Sequence, residues 1–168
     1  MYKQKIIVLG YARHGKDTAC EYLKHKYKYN FVSSSMYCAE FLIYPKMPQY
    51  ATVDDCFNDR QNNRKFWYDT ISSYNKDKAK LGREILSKYD IYCGLRNADE
   101  LRAIKSEGIV DLVIWIDASK RQEKEDSSSC TVQPELADII IDNNGSLSDL
   151  YRNLDNLMLS LERPKNTV

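Results

Sequence analysis

The chain has 168 residues, with 25 Lys and Arg against 24 Asp and Glu, so its formal net charge is +1. That length suits one domain with its own core, and a hydrophobic fraction of 43% with a charged fraction of 29% is ordinary for a globular protein. The near-zero charge excludes a global basic field of the kind that draws proteins to nucleic acid, although a local basic patch is compatible with it.

The cysteines and the N-terminus indicate the compartment. The five cysteines form no CxxC pair and the two histidines are too few for a Cys/His zinc site, so we expect free thiols in a reducing compartment. The apolar run in MYKQKIIVLG is too short for a signal sequence or a membrane span. The sequence therefore predicts a cytoplasmic protein without a membrane partner.

The first half of the chain predicts two strands and a long helical stretch. Its elements are, in order, the strand KIIVL (5–9), a helix from Gly15 to about Tyr27, the strand FVSSS (31–35) and the buried helical turn MYCAEFLIY (36–44). Pro45 and Pro48 end that turn. Residues 54–88 are polar and helical in character, with breaks near 73–75 and before Leu81.

The second half alternates short strands with helices. Its elements are, in order, the strand IYCGL (91–95), the helix NADELRAIKSEG (97–108), the strand DLVIWID (111–117), a mobile polar loop SKRQEKEDSSSC (119–130), the strand LADIIID (136–142), the helix SLSDLYRNLDNLMLSL (146–161) and a frayed tail ERPKNTV. Asn97 is the predicted cap of one helix and Ser146 or Ser148 of the other, and Gly108 is a predicted stop. This alternation predicts a three-layer α/β/α fold with a parallel sheet and helices on both faces.

The stretch GYARHGKDT (10–18) joins the first strand to the first helix and fits the P-loop pattern G-x-x-x-x-G-K. In that context, backbone N–H groups surround phosphate oxygens, the glycines permit close approach, and the helix N-terminus adds partial positive charge. Lys16 would reach the β and γ phosphates of ATP. A glycine turn without a ligand is the alternative. The predicted ATP-binding residues in this loop are Gly10, Ala12, Arg13, His14, Gly15, Lys16, Asp17 and Thr18.

Asp17 stands where the P-loop pattern ordinarily has the Ser or Thr that binds Mg²⁺. Thr18 comes one residue later, about 100° further round the helix. Asp17 and Thr18 are both candidate metal ligands, and a carboxylate suits Mg²⁺. Two other roles stay open for Asp17: it could orient the nucleophilic group of an acceptor, or it could only balance the helix dipole.

Four stretches resemble the deoxynucleoside monophosphate kinases of bacteriophages, within the adenylate-kinase-like P-loop kinases. GKDT after a first strand is similar to the P-loop of that family, and LGRE (81–84) to the Leu-Gly segment of the helix that lines its acceptor site. CGLRNADEL (93–101) looks like its strand-end arginine segment, and ADIIIDNNGSLSDL (137–150) like its last strand, turn and helix. The resemblance is weakest over residues 36–75, the part that should select the substrate.

The resemblance implies a single kinase domain over residues 1–168, with a helical acceptor-binding insertion at about 36–88 and a short lid at about 118–134. It implies ATP and Mg²⁺ as cofactors and small-molecule nucleotides as partners. If a bacteriophage encodes the chain, the location is the host cytoplasm. Asn143 follows the last strand, where members of that family often hold adenine, and simple turn chemistry is its alternative role.

Arginines are the expected acceptor-binding residues. Arg60 and Arg64 are four residues apart, so on a helix they share a face, and Trp67 lies close to that face. Arginine binds phosphate through two parallel hydrogen bonds, and an aromatic ring can stack on a base. A solvated helix face, with Trp67 packed in the core, is the alternative for this group.

Three further arginines complete the predicted site. Arg96 follows a strand at its carboxyl end, where open α/β sheets bind ligands, and it would there neutralise charge on the transferred group or the acceptor. A salt bridge to Asp99 or Glu100 is its alternative. Arg83 is an acceptor-binding candidate on the family likeness alone. Arg121 is the lid residue expected to close over the ATP phosphates, with a solvated polar loop as its alternative.

The sequence therefore predicts transfer of a phosphoryl group from ATP to a deoxynucleoside monophosphate, giving the diphosphate and ADP. The predicted catalytic residues are Lys16, Asp17, Arg96 and Arg121. One alternative keeps the fold but phosphorylates a hydroxymethylated pyrimidine in phage DNA. Outside this alternative, we expect no nucleic-acid partner. Another is a nucleotide-binding regulatory protein without catalysis. The sequence leaves open which base or sugar is accepted and whether the protein forms a homodimer.

Overall fold

A five-stranded parallel sheet lies at the centre of the computed structural model, which describes residues 3–162. Its strands, in chain order, are β1 (Ile6–Leu9), β2 (Phe31–Ser33), β3 (Ile91–Cys93), β4 (Leu112–Asp117) and β5 (Ile139–Asp142). They pair in the order β2-β3-β1-β4-β5. The central strands are continuous apolar runs because both of their faces are covered, as in other parallel sheets.

Helices cover both faces of the sheet. The α-helices of the described range are α1 (Lys16–Tyr27), α2 (Ser34–Cys38), α3 (Val53–Asn58), α4 (Arg64–Tyr74), α5 (Lys80–Lys88), α6 (Ala98–Ser106) and α7 (Leu147–Glu162). A π-helical turn (Ala39–Ile43) and a 3-10 turn (Tyr44–Lys46) follow α2, a second 3-10 turn (Asp59–Asn63) precedes α4, and a third (Pro134–Leu136) precedes β5. Three layers therefore form around two hydrophobic cores.

The alternating residues of β1 divide between those two cores. Ile6 and Val8 pack with α1 and α7 on one face of the sheet. Ile7 and Leu9 pack with α2 to α6 on the other face. This is the two-residue period of a strand with both faces buried. The predicted three-layer α/β/α fold with a parallel sheet is confirmed.

All five predicted strands are longer than the observed ones, three of them by two or more residues. The second strand ends at Ser33 rather than at residue 35, because the Ser33 hydroxyl accepts a hydrogen bond from the Met36 N–H at 3.1 Å and begins α2. The third strand ends at Cys93 rather than at residue 95, because Gly94 turns the chain with a φ of 81°. The last strand begins at Ile139 rather than at residue 136, because the 3-10 turn Pro134–Leu136 occupies the preceding positions. These three corrections concern local turn chemistry and leave the order of the elements unchanged.

The predicted helix ends are close to the observed ones. Asn97 accepts hydrogen bonds from the N–H groups of Asp99 and Glu100, and Gly108 follows α6 with a φ of 66°. Ser146, not Ser148, caps α7, since its hydroxyl accepts from the Asp149 N–H at 3.2 Å. The tail predicted to fray covers residues 162–168. Glu162 is the last residue of α7, and the rest of this tail lies outside the described residues. Within residues 3–162, no helix combines the length and the apolar composition needed to cross a membrane.

Candidate functional site

The P-loop leaves β1 in a conformation that requires its two glycines. Gly10 has a φ of 148° and Gly15 a φ of 99°, values that residues with a side chain rarely adopt. A Cβ at Gly10 would lie 2.7 Å from the carbonyl oxygen of Ile116, and one at Gly15 would lie 2.4 Å from Nδ2 of Asn143. The loop therefore passes against β4 and the turn after β5 at distances that exclude a side chain.

Two buried polar side chains bond the P-loop to the segments that follow β4 and β5. His14 is fully buried; its Nδ1 accepts from the Ala118 N–H at 3.0 Å, and its Nε2 donates to the Glu123 carbonyl at 3.1 Å. Asn143 is also buried and donates through Nδ2 to the His14 carbonyl at 2.9 Å. The structure places both side chains in the support of the loop, and their predicted contact with ATP stays a prediction.

Lys16 begins α1, and its side chain crosses the mouth of the loop. Its Nζ donates to the Tyr11 carbonyl at 2.9 Å. Burial lowers the pKa of Lys16, and the positive charge of Arg96 lowers it further, against the opposing effects of Cys93, Glu125 and Asp17. The ammonium group is therefore a partly desolvated cation at the position where the motif places a β/γ-phosphate contact.

A cleft of about 840 Å³ opens in front of the P-loop, at the carboxyl ends of β2 and β3. Open α/β sheets bind ligands at this edge. One side, which we call the phosphate side, consists of Ala12, Arg13, Lys16 and Asp17. A second group of lining residues, which we call the acceptor side, consists of Phe57, Arg60, Gln61, Arg64, Trp67 and Ile71. The structure therefore brings residues of the predicted P-loop and four of the five predicted acceptor residues, Arg60, Arg64, Trp67 and Arg96, to one cavity.

Arg96 also lines the cleft, and it is paired with a residue of the segment 118–134, which we call the lid segment after its predicted role. Its guanidinium forms an ion pair with Glu125, whose other carboxylate oxygen accepts from the Ala12 N–H of the P-loop at 2.7 Å. Burial raises the pKa of Glu125, but hydrogen bonds from Arg96 and Ala12 outweigh burial, and the pKa lies below its ordinary value. The partner of Arg96 is thus neither Asp99 nor Glu100, the two residues that the sequence offered.

Asp17 lines the cleft, and its carboxylate accepts a weak hydrogen bond from the Cys93 thiol at 3.6 Å. Thr18 is exposed, and it is not part of the cleft lining. Within residues 3–162, no group of three or more His, Cys, Asp or Glu side chains is arranged to hold a metal ion. One carboxylate next to a P-loop nevertheless fits Mg²⁺, which proteins usually bind through one or two carboxylates plus phosphates and water.

The acceptor-side arginines are held by residues three positions before them. The Arg60 guanidinium stacks on the Phe57 ring at 4.0 Å and donates to the Phe57 carbonyl at 2.9 Å. Arg64 donates through Nε to the side-chain oxygen of Gln61 at 2.6 Å. Trp67 is 7% exposed, and it also lines the cleft. Trp67 therefore fits both of its predicted roles, as a core residue and as a wall of the acceptor side.

The structure does not bring Arg83 or Arg121 to the cleft. Arg83 is exposed on α5 and pairs with Asp77 at 3.1 Å and Glu107 at 2.6 Å, because the other face of α5 is buried against the core. Arg121 donates through Nε to the Asn143 carbonyl at 2.7 Å, on the turn after β5. Neither residue contacts the phosphate side in this arrangement.

Two carboxylates in the cleft were not predicted as site residues. Glu125 comes from a charged polar segment in which no residue stands out, and it reaches Ala12 across 113 positions of sequence. Glu100 lies in the first turn of α6, where an acidic residue ordinarily indicates only helix capping. Burial raises the pKa of Glu100, so this side chain faces the cleft from a partly desolvated position.

No protein-family model matches the chain, and no curated protein matches it. Solved structures do. A shikimate kinase from Acinetobacter baumannii in complex with shikimate has a TM-score of 0.56 at 13% identity, covering 96% of each chain. A shikimate kinase from Aquifex aeolicus has a TM-score of 0.56 at 16% identity, covering 94% of this chain and 96% of that one. The APS kinase of Mycobacterium tuberculosis has a TM-score of 0.51 at 8% identity, covering 95% and 99%. The chain therefore has the P-loop NTPase fold in the form that these kinases share.

Proposed function

We propose that the protein transfers the γ-phosphoryl group of ATP to a small anionic acceptor bound in the cleft. The observation that carries this proposal is that one cavity has Lys16 and the P-loop on its phosphate side and Arg60 and Arg64 on its acceptor side. Two separate groups of positively charged side chains line one cavity, and this arrangement suits two anionic ligands bound next to each other. The fold shared with shikimate and APS kinases supports the same class of reaction.

The residues of the phosphate side would act by position and charge. Lys16 and the P-loop N–H groups would neutralise the β and γ phosphates, and Arg96 would neutralise the migrating group between the two ligands. Asp17 would hold Mg²⁺, which supplies further charge neutralisation on the phosphates when bound. Phosphoryl transfer asks for little covalent chemistry from the protein, so this placement carries most of the rate.

A deoxynucleoside monophosphate is the acceptor that we favour. The cavity volume of about 840 Å³ is within the range of sites that enclose small organic ligands. Arg60 and Arg64 offer guanidinium groups for a phosphate, and Phe57 and Trp67 offer aromatic surface for a base. The resemblance to phage deoxynucleoside monophosphate kinases points to the same acceptor.

A hydroxyl-bearing acceptor is the second candidate, and the position of Asp17 favours it. A phosphate acceptor at neutral pH has an ionised oxygen ready to attack, whereas a hydroxyl group must lose a proton during transfer. Asp17 is a carboxylate on the cleft wall next to Lys16, where it could accept that proton. A hydroxymethylated pyrimidine and a small hydroxylated acid both belong to this class.

A coupled ADP-release assay with ATP and Mg²⁺ tests the proposal. The acceptor panel holds the deoxynucleoside and ribonucleoside monophosphates, shikimate, DNA with hydroxymethyluracil, and a control without acceptor. We expect turnover with at least one monophosphate, lost in Lys16→Ala and retained in Lys24→Ala, which removes an exposed lysine of the same helix. ATP binding without acceptor-dependent turnover would contradict the kinase proposal and support a regulatory protein.

The variant Asp17→Asn separates the two acceptor classes. If Asp17 only binds Mg²⁺, its loss raises the Mg²⁺ concentration needed for half-maximal rate with every acceptor. If Asp17 accepts a proton, its loss also removes the acidic limb of the pH–rate profile, and this effect appears only with hydroxyl acceptors.

A further inference from the structure

The carboxylate of Glu125 lies in the phosphate-binding loop. One of its oxygens accepts from the Ala12 N–H at 2.7 Å, and the other is paired with the Arg96 guanidinium. Its side chain is 16% exposed, and the positive charge of Lys16 also acts on it. These are three of the groups that would bind a nucleotide phosphate, so an anion of the protein itself occupies the place of a ligand.

The lid segment is held on both sides of Glu125. Before it, the Glu123 carbonyl accepts from His14 at 3.1 Å, beneath the P-loop. After it, the Thr131 N–H donates to the Arg96 carbonyl at 2.9 Å. The backbone on either side is therefore bonded to the P-loop and to Arg96, three residues after the end of β3.

A phosphate and this carboxylate cannot both use the same donors. Each is an anion that needs the Ala12 N–H and nearby positive charge, and two anions at contact distance repel each other. Binding of a phosphate therefore requires the carboxylate to leave. When it leaves, Arg96 loses its ion-pair partner and becomes available to a second ligand in the cleft.

We propose that Glu125 is a latch: it fills the phosphate site of the nucleotide-free protein, and the phosphates of a bound nucleotide displace it and release Arg96 to the acceptor. This inference rests on the proposed function, because it takes a nucleotide phosphate as the ligand of the P-loop. It assigns to the lid segment the role of coupling nucleotide binding to acceptor binding. Glu125 is a positioning residue in this scheme, since it contacts neither substrate during transfer.

Isothermal titration of the full chain with ADP and Mg²⁺, and separately with inorganic pyrophosphate, tests the latch. We expect Glu125→Gln to bind both probes about tenfold more tightly than the unmodified protein, because the competing charged hydrogen bonds are removed. The matched control is Glu123→Gln, which removes another carboxylate of the lid segment. Glu123 contacts the P-loop through its backbone carbonyl, and the substitution leaves that carbonyl in place. This control should bind both probes like the unmodified protein, and thermal unfolding should show that both variants fold.

The outcomes distinguish the latch from the proposed function. Equal ADP affinity in the unmodified protein and Glu125→Gln would overturn the latch and leave the nucleotide site standing. Weaker binding in Glu125→Gln would also overturn it, since Glu125 would then belong to the ligand-binding site. Tight binding in Glu125→Gln alone would support the latch most strongly. If none of the proteins binds either probe, the proposed function fails and the latch fails with it.

Discussion

On the phosphate side of the cleft, residues distant in sequence hold the loop: His14 is bonded to Ala118 and Glu123, and Asn143 is bonded to His14. On the acceptor side, the guanidinium groups of Arg60 and Arg64 are bonded to residues three positions away. The first arrangement is buried and joins distant parts of the fold. The second is local to residues 57–64, from α3 to the first residue of α4. The phosphate side is therefore preorganised for one kind of ligand, whereas the acceptor side can reorient at small cost.

The free energies of these contacts support that difference. A buried polar group that loses its partner costs about 1–3 kcal/mol, so the bonds of His14 and Asn143 resist rearrangement. The partners of Arg60 and Arg64 are neutral groups, and a hydrogen bond contributes only about 0.5–1.5 kcal/mol net, so an anionic ligand can readily replace them. We expect changes on the phosphate side to abolish binding, and changes on the acceptor side to alter selectivity.

The largest expected effect comes from Gly15→Ala. The added Cβ would meet Nδ2 of the buried Asn143 at 2.4 Å, and the residue would have to keep a φ of 99°. We expect ADP affinity to fall by at least about tenfold, because the P-loop must move. The control is Gly108→Ala, which has a φ of 66° but no atom within 4 Å of the added Cβ. Unchanged ADP affinity in Gly15→Ala would show that the phosphate side is less rigid than its contacts indicate.

The next effect concerns acceptor binding. We expect Arg64→Ala to raise the KM for the acceptor by about tenfold while leaving the KM for ATP unchanged, because a charged hydrogen bond to an anion is lost. Arg102→Ala is the control, since Arg102 is an exposed arginine paired with Asp99 on α6. Steady-state kinetics with each substrate varied in turn provides the measurement. A rise in the KM for ATP instead would place Arg64 on the phosphate side in function.

The third effect is on the stability of the fold, at the contact between α5 and α6. A Cβ on Gly82 would lie 2.2 Å from Cδ1 of Ile104, which is fully buried where α5 packs on α6. We expect Gly82→Ala to lower the free energy of unfolding by about 1–2 kcal/mol, because overpacking outweighs the gain in helix propensity. Urea unfolding measures this. The double variant Gly82→Ala with Ile104→Val should recover part of the loss, and no recovery would refute the steric explanation.

The smallest effect is a pH dependence at Asp155 of α7, which is not among the residues that line the cleft. Burial raises the pKa of Asp155, but hydrogen bonds from Lys26, Tyr27 and Tyr22 outweigh it, and the pKa lies below the ordinary 3.8. A lowered folded-state pKa gives a stability contribution that is complete above about pH 4 and is lost as the pH falls through the folded-state value. We expect Asp155→Asn to cost about 1 kcal/mol at pH 7 and to flatten the stability curve below pH 4. An unchanged curve would contradict this.

The P-loop could be predicted because all of its signals are adjacent in sequence: a strand, two glycines, a lysine and a helix. The three-layer fold followed from the alternation of apolar runs with helical patterns. Arg83 was predicted by likeness to a family, but α5 buries the face that carries Leu81 and Ile85 and leaves residue 83 outside. Glu125 could not have been found, because a segment without periodicity gives no sign of which side chain the tertiary fold will deliver.

The position of β1 in the sheet has a consequence for how such a protein can diversify. β1 lies between β3 and β4, so its loop has one neighbouring strand that leads to Arg96 and another that leads to the lid segment. The chain forms β2 and β3 on one side of β1, and β4 and β5 on the other side. β1 therefore lies at the topological switch point of the sheet. Insertions after the strands on either side of β1 can therefore change which acceptor is recognised, or how access to the cleft is controlled, while the P-loop after β1 keeps the same chemistry.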